Sequence, residues 1–352
     1  MKFSPGRLQI ARKRNLLNKK ALAELIGVSP VYITRWEKGD VVPTKENIDR
    51  MSKALDYPVR FFEGDELDFP FGASFRSQTS MTAKMRDAAL AAGSLAFLIS
   101  DWLEESFHLP IVNVPDLGAY EPASAAIMLR HYWGLGEMPV TNMVHLLESK
   151  GCRVFSLAEN TKKINAYSIW RREVPFIFLN TVMTGERSRF DAAHELAHLV
   201  LHQDGETTGR EAEDQANAFA SSFLMPSGDV LAHARRGLSL AEIIVLKSRW
   251  LVSPGALARR LYKLGLTSEW EYRNLCINIS KNGYRTAEPR GIHMERSQLW
   301  KKVITLLWQE GKTKDHLALE LGLPLQEVSD LLFSIIQDPP PDNHHDSELK
   351  VL

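Results

Sequence analysis

The stretch FDAAHELAHLVLH, residues 190–202, sets three histidines and a glutamate among apolar residues at helical spacing. His194 and His198 are four residues apart, about 6 Å along a helix axis and on one face, so both imidazoles can reach a single metal ion. Glu195 falls beside them in the pattern H-E-x-x-H, where the glutamate is the base for water at a zinc ion and not a ligand. His202 shares the face but lies about 12 Å from His194, too far to join a ligand set with bonds of about 2 Å. Its replacement is therefore expected to leave zinc in place.

A third ligand has to come from another element. The next periodic stretch, EAEDQANAFASSFLMP (211–226), offers Glu213, with Asn217 and Ala220 on the same helical face and an apolar remainder able to pack against the first helix. A carboxylate on such a face is costly to bury unless it is paired or bound to a metal. Glu206 and Glu211 are competing carboxylates nearby. His194, His198 and one carboxylate would leave a fourth zinc position for water, the pattern of a catalytic site.

These helices sit in a chain of 352 residues, 44% of them hydrophobic, enough for two or three packed domains. CRVFSL, NAYSIW and VPFIFLN, within 152–180, read as three short strands, and nearly everything else has helical period, so the expected class is mainly α with a small β-sheet (α+β). The expected organisation is an N-terminal helical domain over 1–64, a linker and helical connecting region over 65–139, a metal-bearing domain over 140–289, a C-terminal helical region over 290–337 and a loose tail over 338–352. Arg189 and Asp191 read as lying ahead of the metal helix, where such residues either orient a ligand or substrate or, more often, cap the helix.

Lys plus Arg and Asp plus Glu both number 43, but residues 1–60 hold thirteen basic residues against six acidic ones. A net charge of zero excludes a chain that coats nucleic acid along its whole length, whereas the local net of +7 suits one phosphate-binding module on an acidic body. Two distant cysteines, Cys152 and Cys276, form no disulfide framework and fit a reducing, cytoplasmic setting. No signal peptide is legible, and LAAGSLAFLISDWL (90–103) is too short to span a bilayer, so no membrane association is expected.

In the basic module, LIGVSP (25–30) reads as a tight turn: Gly27 ends one helix, Ser29 caps the next and Pro30 opens it. NKKALAELIGVSPVYITRWEKGD resembles the helix-turn-helix of the phage-repressor-like (XRE) family, with Ala23, Gly27, Ile33 and Trp36 at its core positions. That resemblance implies a five-helix domain whose third helix enters the major groove of an operator as a homodimer. Carried over, it puts Pro30, Val31 and Arg35 at the bases, and Lys19, Ser29 and Lys38 at the phosphates, with Arg12 and Glu37 tying the first helix to the third. Near the other end, LALELGLPLQEVSDLL (317–332) has the same rhythm without basic residues and reads as a packing or partner-binding element.

The order RSRFDAAHELAHLVLH, EDQANAFASSFLMP and LKSRWLVSPGALARRLYKLGLTSEWEYRNLCINISKNGYRTAEP resembles the ImmA/IrrE family of metallo-endopeptidases, with Ala197 where that family has glycine. The resemblance implies a zincin-like domain with zinc on His194, His198 and Glu213 and with Glu195 as catalytic base. It also implies a narrow proteolytic target: a partner repressor, a cognate toxin or the chain itself, in a stress-response, mobile-element or toxin–antitoxin setting. The alternative is a repressor or antitoxin without catalysis, whose zinc-stabilised body only binds a partner.

Overall fold

The computed structural model describes residues 3–70, 74–75, 82–157, 166–203, 205 and 207–334. Glu206, most of the linker's second half and the expected tail at 338–352 lie outside the described residues. The chain divides into two compact units, one of Met1–Leu109, Phe155–Asn165 and Ser297–Leu352, the other of Pro110–Val154 and Ala166–Arg296. The fold is mainly helical with a small sheet. Among the described residues no helix is long and apolar enough to cross a membrane.

The first unit begins with α1 (Pro5–Arg14), α2 (Lys19–Ile26), α3 (Pro30–Lys38) and α4 (Lys45–Leu55), followed by a 3-10 helix, Val59–Glu63. Ser4, Asn18 and Thr44 each cap a helix by accepting a backbone N–H. Gly27 ends α2 with φ +70°, a conformation open to glycine at no steric cost. Leu8, Leu22, Ala23, Ile33, Trp36, Met51 and Phe61 close the core of this helical module. Residues 65–66, at the start of the stretch read as linker, are bonded back to α1. The Asp65 carbonyl accepts from Arg7 Nε at 2.5 Å, and the Glu66 carboxylate from Ser4 Oγ at 3.0 Å and from the Gly6 amide.

This unit also holds the two-residue strand β1 (Ser74–Phe75) and the 24-residue α5 (Ala83–Ser106), which packs on α1. Arg14 of α1 donates to the Ala88 carbonyl of α5 at 3.2 Å and, by a fork, to Glu327, which also accepts from Tyr57 Oη at 3.0 Å. The second stretch with helix-turn-helix rhythm, turning at Gly322 (φ +68°), is thus packed onto the first through an acidic residue, not exposed as a basic surface.

In the second unit, α6 (Pro122–Tyr132) and α7 (Met143–Ser149) precede β3 (Tyr167–Arg171) and β4 (Val174–Asn180), while β2 (Arg153–Leu157) begins in this unit and has Phe155–Leu157 in the first. β3 and β4 pair antiparallel from Tyr167 opposite Phe178 to Arg171 opposite Val174. The two turn residues, Arg172 and Glu173, have φ +48° and +66°, the sense of a type I′ hairpin turn. The stacked Tyr167 and Phe178 rings, 4.4 Å apart, fix that register from the buried face.

Against this hairpin lies α8 (Gly185–Leu201), joined to β3 by Trp170 Nε1 donating to the Leu199 carbonyl at 3.2 Å. Thr184 caps α8 by accepting the Arg187 amide at 3.3 Å. Glycine is needed at its first position because a Cβ there would lie 2.6 Å from the Ile292 carbonyl. Arg189 and Asp191 are consequently inside α8 and do not precede it. The Arg189 guanidinium, wholly buried, donates to Glu295 and to the Val140 carbonyl, while Glu295 also accepts the Met143 and Val144 amides at the start of α7. Asp191 pairs with Arg187 one turn back, 3.0 Å away. Both residues therefore brace the helix that carries His194.

The second unit continues as α9 (Gly209–Leu224), α10 (Ser227–His233), α11 (Leu240–Leu246), α12 (Pro254–Lys263) and α13 (Glu269–Lys281), with α14 (Gln298–Gln309), α15 (Lys314–Leu321) and α16 (Leu325–Leu331) belonging to the first. α9 packs on both α8 and α6 and buries Ala212, Ala216, Phe219, Ala220 and Phe223, the last edge-on to Trp133 at the end of α6. Small residues on its inner face let α9 approach α8 closely.

Candidate functional sites

The approach of α8 and α9 brings His194, His198 and Glu213 together, with one ligand-type atom from each within 4.8 Å of the others. His194 Nε2 lies 3.2 Å from His198 Nε2 and 3.4 Å from Glu213 Oε2, and His198 Nε2 lies 3.6 Å from Glu213 Oε1. Tetrahedral ligation at about 2.0–2.1 Å puts neighbouring donors about 3.3 Å apart, so the two imidazoles stand at ligand spacing and Glu213 offers one carboxylate oxygen toward each of them. Burial alone would raise the Glu213 carboxyl, but hydrogen bonding and charge from His194 and His198 outweigh it and hold the group at about 2. The acceptor is therefore ionised throughout the working range. Glu211 is exposed, two residues before Glu213 on α9, and bonded to Gln215 at 3.4 Å.

Glu195, 1% exposed, directly follows His194 on α8 and is not among the three convergent donors. Burial pushes its carboxyl up to about 7, against the lowering effects of His198 and of a hydrogen bond from Ser168. Ser168 Oγ, on β3, is 2.8 Å from Glu195 Oε2, which leaves Oε1 buried without a hydrogen-bond partner among the described residues. One oxygen is held and the other is available to accept a proton. Ser168 was not legible as a site residue, because only the packing of β3 on α8 reveals it; a lone polar residue in NAYSIW is a weak signal.

His202 is not part of the convergent trio. Its Nδ1 lies 3.0 Å from His198 Nδ1, and its Nε2 lies 2.9 Å from Gln215 Oε1 on α9.

In the helical module, Pro30, Val31, Arg35 and Lys38 are exposed on α3, and Val31 retains 63% of its surface. Tyr32, 48% exposed on the same helix, joins this face and escaped the sequence reading. Ser29 has the N-cap backbone conformation but its side chain makes no capping bond, so the hydroxyl is not used to close the helix. Arg12 and Glu37 form a fork at 2.5 and 3.1 Å between α1 and α3, and Glu37 is almost fully buried. Lys19 Nζ lies 3.2 Å from the same carboxylate, so its charge is partly engaged inside the module while those of Arg35 and Lys38 face outward.

Comparison with known proteins finds two matched segments. Residues 8–62 match the helix-turn-helix family, and residues 147–262 match the IrrE N-terminal-like domain of peptidase family M78. A 60-residue segment is 37% identical to repressor protein C2 of Salmonella phage P22, covering 17% of this chain and 28% of that repressor. The chain thus spans about a quarter of the length of that relative. The second family is of metallopeptidase type and implies a metal, for which the His194, His198 and Glu213 cluster is a candidate. The chain therefore carries one segment that matches a helix-turn-helix DNA-binding family and is similar to a phage repressor, and a second that matches the IrrE N-terminal-like domain of peptidase family M78.

Proposed function

We propose that the chain is a DNA-binding regulator whose M78 segment is a zinc-dependent endopeptidase acting on a specific protein, either a partner repressor or toxin, or the chain itself. The observation that carries this reading is the spacing of His194 Nε2, His198 Nε2 and Glu213, close to a tetrahedral edge, with the buried Glu195 beside them. A bound zinc ion would supply Lewis acidity toward a peptide carbonyl and toward water. His194, His198 and Glu213 would hold it from two helices, and Glu195 Oε1 would accept a proton from the attacking water and return it to the leaving amine. Ser168 keeps Glu195 Oε2 engaged, so that the other oxygen remains turned to the proton. Ser168→Ala is expected to slow cleavage by about tenfold, the worth of one hydrogen bond to a charged group, with metal content unchanged. The reading is tested by co-expression with the product of the adjacent gene, followed by intact-mass analysis with and without a chelator.

On DNA, Arg35 would read a guanine edge from α3, Pro30 and Val31 would pack on base edges, and Ser29, Lys19 and Lys38 would meet phosphates of a short palindromic operator bound by a homodimer. Arg35→Ala is expected to cost about 1–3 kcal/mol at one base position. Lys38→Ala should weaken specific and random DNA alike and reduce the salt slope by about one. Lys38 is the sharper probe because Lys19 Nζ is shared with Glu37. Titration of both variants against operator and random duplexes at several salt concentrations separates the roles. Equal losses on the two duplexes for Arg35→Ala would remove it from base reading.

A further inference from the structure

We infer that His202 and Gln215 are positioning residues for metal capture, acting through His198 in a directional chain of hydrogen bonds anchored at Glu211. The inference rests on the zinc-site reading above and goes beyond it, since none of the three is a ligand in that reading. The chain is continuous. His198 Nδ1 is 3.0 Å from His202 Nδ1, His202 Nε2 is 2.9 Å from Gln215 Oε1, and Gln215 Nε2 is 3.4 Å from Glu211 Oε1.

Its direction follows from its end. The Glu211 carboxylate only accepts, so the Gln215 amide NH2 points to it and Gln215 Oε1 points to His202. That oxygen also only accepts, so His202 carries its hydrogen on Nε2 and presents a lone pair at Nδ1. His198 must then donate from Nδ1, which leaves the lone pair of its Nε2 directed at His194 Nε2 and Glu213. This is the tautomer a metal ligand needs at Nε2. A metal-binding histidine whose other nitrogen donates to a fixed acceptor is held in both tautomer and ring orientation.

The sequence spacing builds the chain: His198 and His202 are i,i+4 on α8, Glu211 and Gln215 are i,i+4 on α9, and the close packing of the two helices joins the pairs. His202, which distance excludes as a ligand, thereby acts on the site one residue removed, so its replacement lowers the affinity for zinc while the three ligands still fill in excess metal.

The test uses the full chain, stripped with a chelator and titrated with zinc against a chromophoric competitor, and with Co2+ as a spectroscopic probe. His202→Leu keeps bulk but removes the acceptor, and it should weaken zinc binding about 10- to 100-fold and alter the Co2+ ligand-field spectrum. His202→Asn puts an amide oxygen near the place of the lost Nδ1 and should recover most of that affinity. Gln215→Leu, on the partly exposed side of the chain, should weaken binding in the same direction and carries the test if His202→Leu fails to fold. A folded His202→Leu that binds zinc within about threefold of wild type, with an unchanged Co2+ spectrum, overturns the inference. So does an Asn variant as weak as the Leu variant. Full affinity in a Glu213→Ala control would instead sink the zinc-site reading beneath it.

Discussion

Purified wild-type chain is expected to carry about one zinc ion, and His194→Ala and Glu213→Ala are each expected to carry essentially none. The expectation rests on geometry: one ligand atom from each of the three residues lies within 4.8 Å of the others, the two imidazole nitrogens are 3.2 Å apart, and no other described acidic, histidine or cysteine side chain joins the group. Metal analysis by mass spectrometry reads the loss directly. Zinc that binds only the folded state should also raise wild-type stability by about 2.7 kcal/mol at a hundredfold excess over its Kd, and the two variants should show no zinc-dependent gain. Protons should compete with the metal at the imidazoles before they do so at Glu213, whose carboxyl is held at about 2. Zinc content should therefore fall as pH drops below the usual histidine range while Glu213 is still ionised. If His202→Ala empties the site while Glu213→Ala does not, the ligand assignment is wrong.

The parts of the chain that were legible in sequence are those where one local rule decides the outcome. The helix bearing His194 and His198 follows from apolar periodicity, and the α2–α3 turn from Gly27, Ser29 and Pro30. Glu213 could be chosen because a carboxylate beside Asn217, Ala216 and Ala220 has no reason to face an apolar neighbour unless something binds it. Three features depended on packing and were missed or misplaced. Arg189 and Asp191 read as lying ahead of the helix, but Arg189 finds Glu295, Asp191 finds Arg187, and α8 begins earlier at the Thr184 cap. The β3–β4 turn carries Arg172 and Glu173 at positive φ, where the sequence lacks the Asn-Gly or Asp-Gly signal that marks such a turn. Ser168 and Gln215 gain their roles only when β3 and α9 pack on α8, and no periodicity encodes a contact between elements.

Glu195→Gln is expected to abolish cleavage while leaving nearly everything else intact. Glutamine reproduces the shape of Glu195, its side-chain oxygen can still accept from Ser168 Oγ, and the residue is outside the trio of convergent donors. Zinc content, thermal stability and operator binding should therefore match wild type. What is lost is the carboxylate oxygen that accepts the proton, and with it a rate factor of at least about a hundred, the usual scale for a general base. Burial raises the Glu195 carboxyl to about 7 when the site holds no cation. A nearby dication favours the ionised form, so the base should be more fully ionised at neutral pH in the zinc-loaded chain. Activity should vanish with a chelator and return with zinc in wild type, and should not return in Glu195→Gln. The graded partner of this variant is Ser168→Ala, which keeps the carboxylate and loses only its tether, so its smaller defect places the two residues in one step. The readout is the intact mass of the co-expressed partner and of the chain itself, taken alongside repression of the operator. Identical masses and identical repression from wild type and Glu195→Gln would reject the peptidase reading and leave a DNA-binding protein whose metal site serves only to bind a partner.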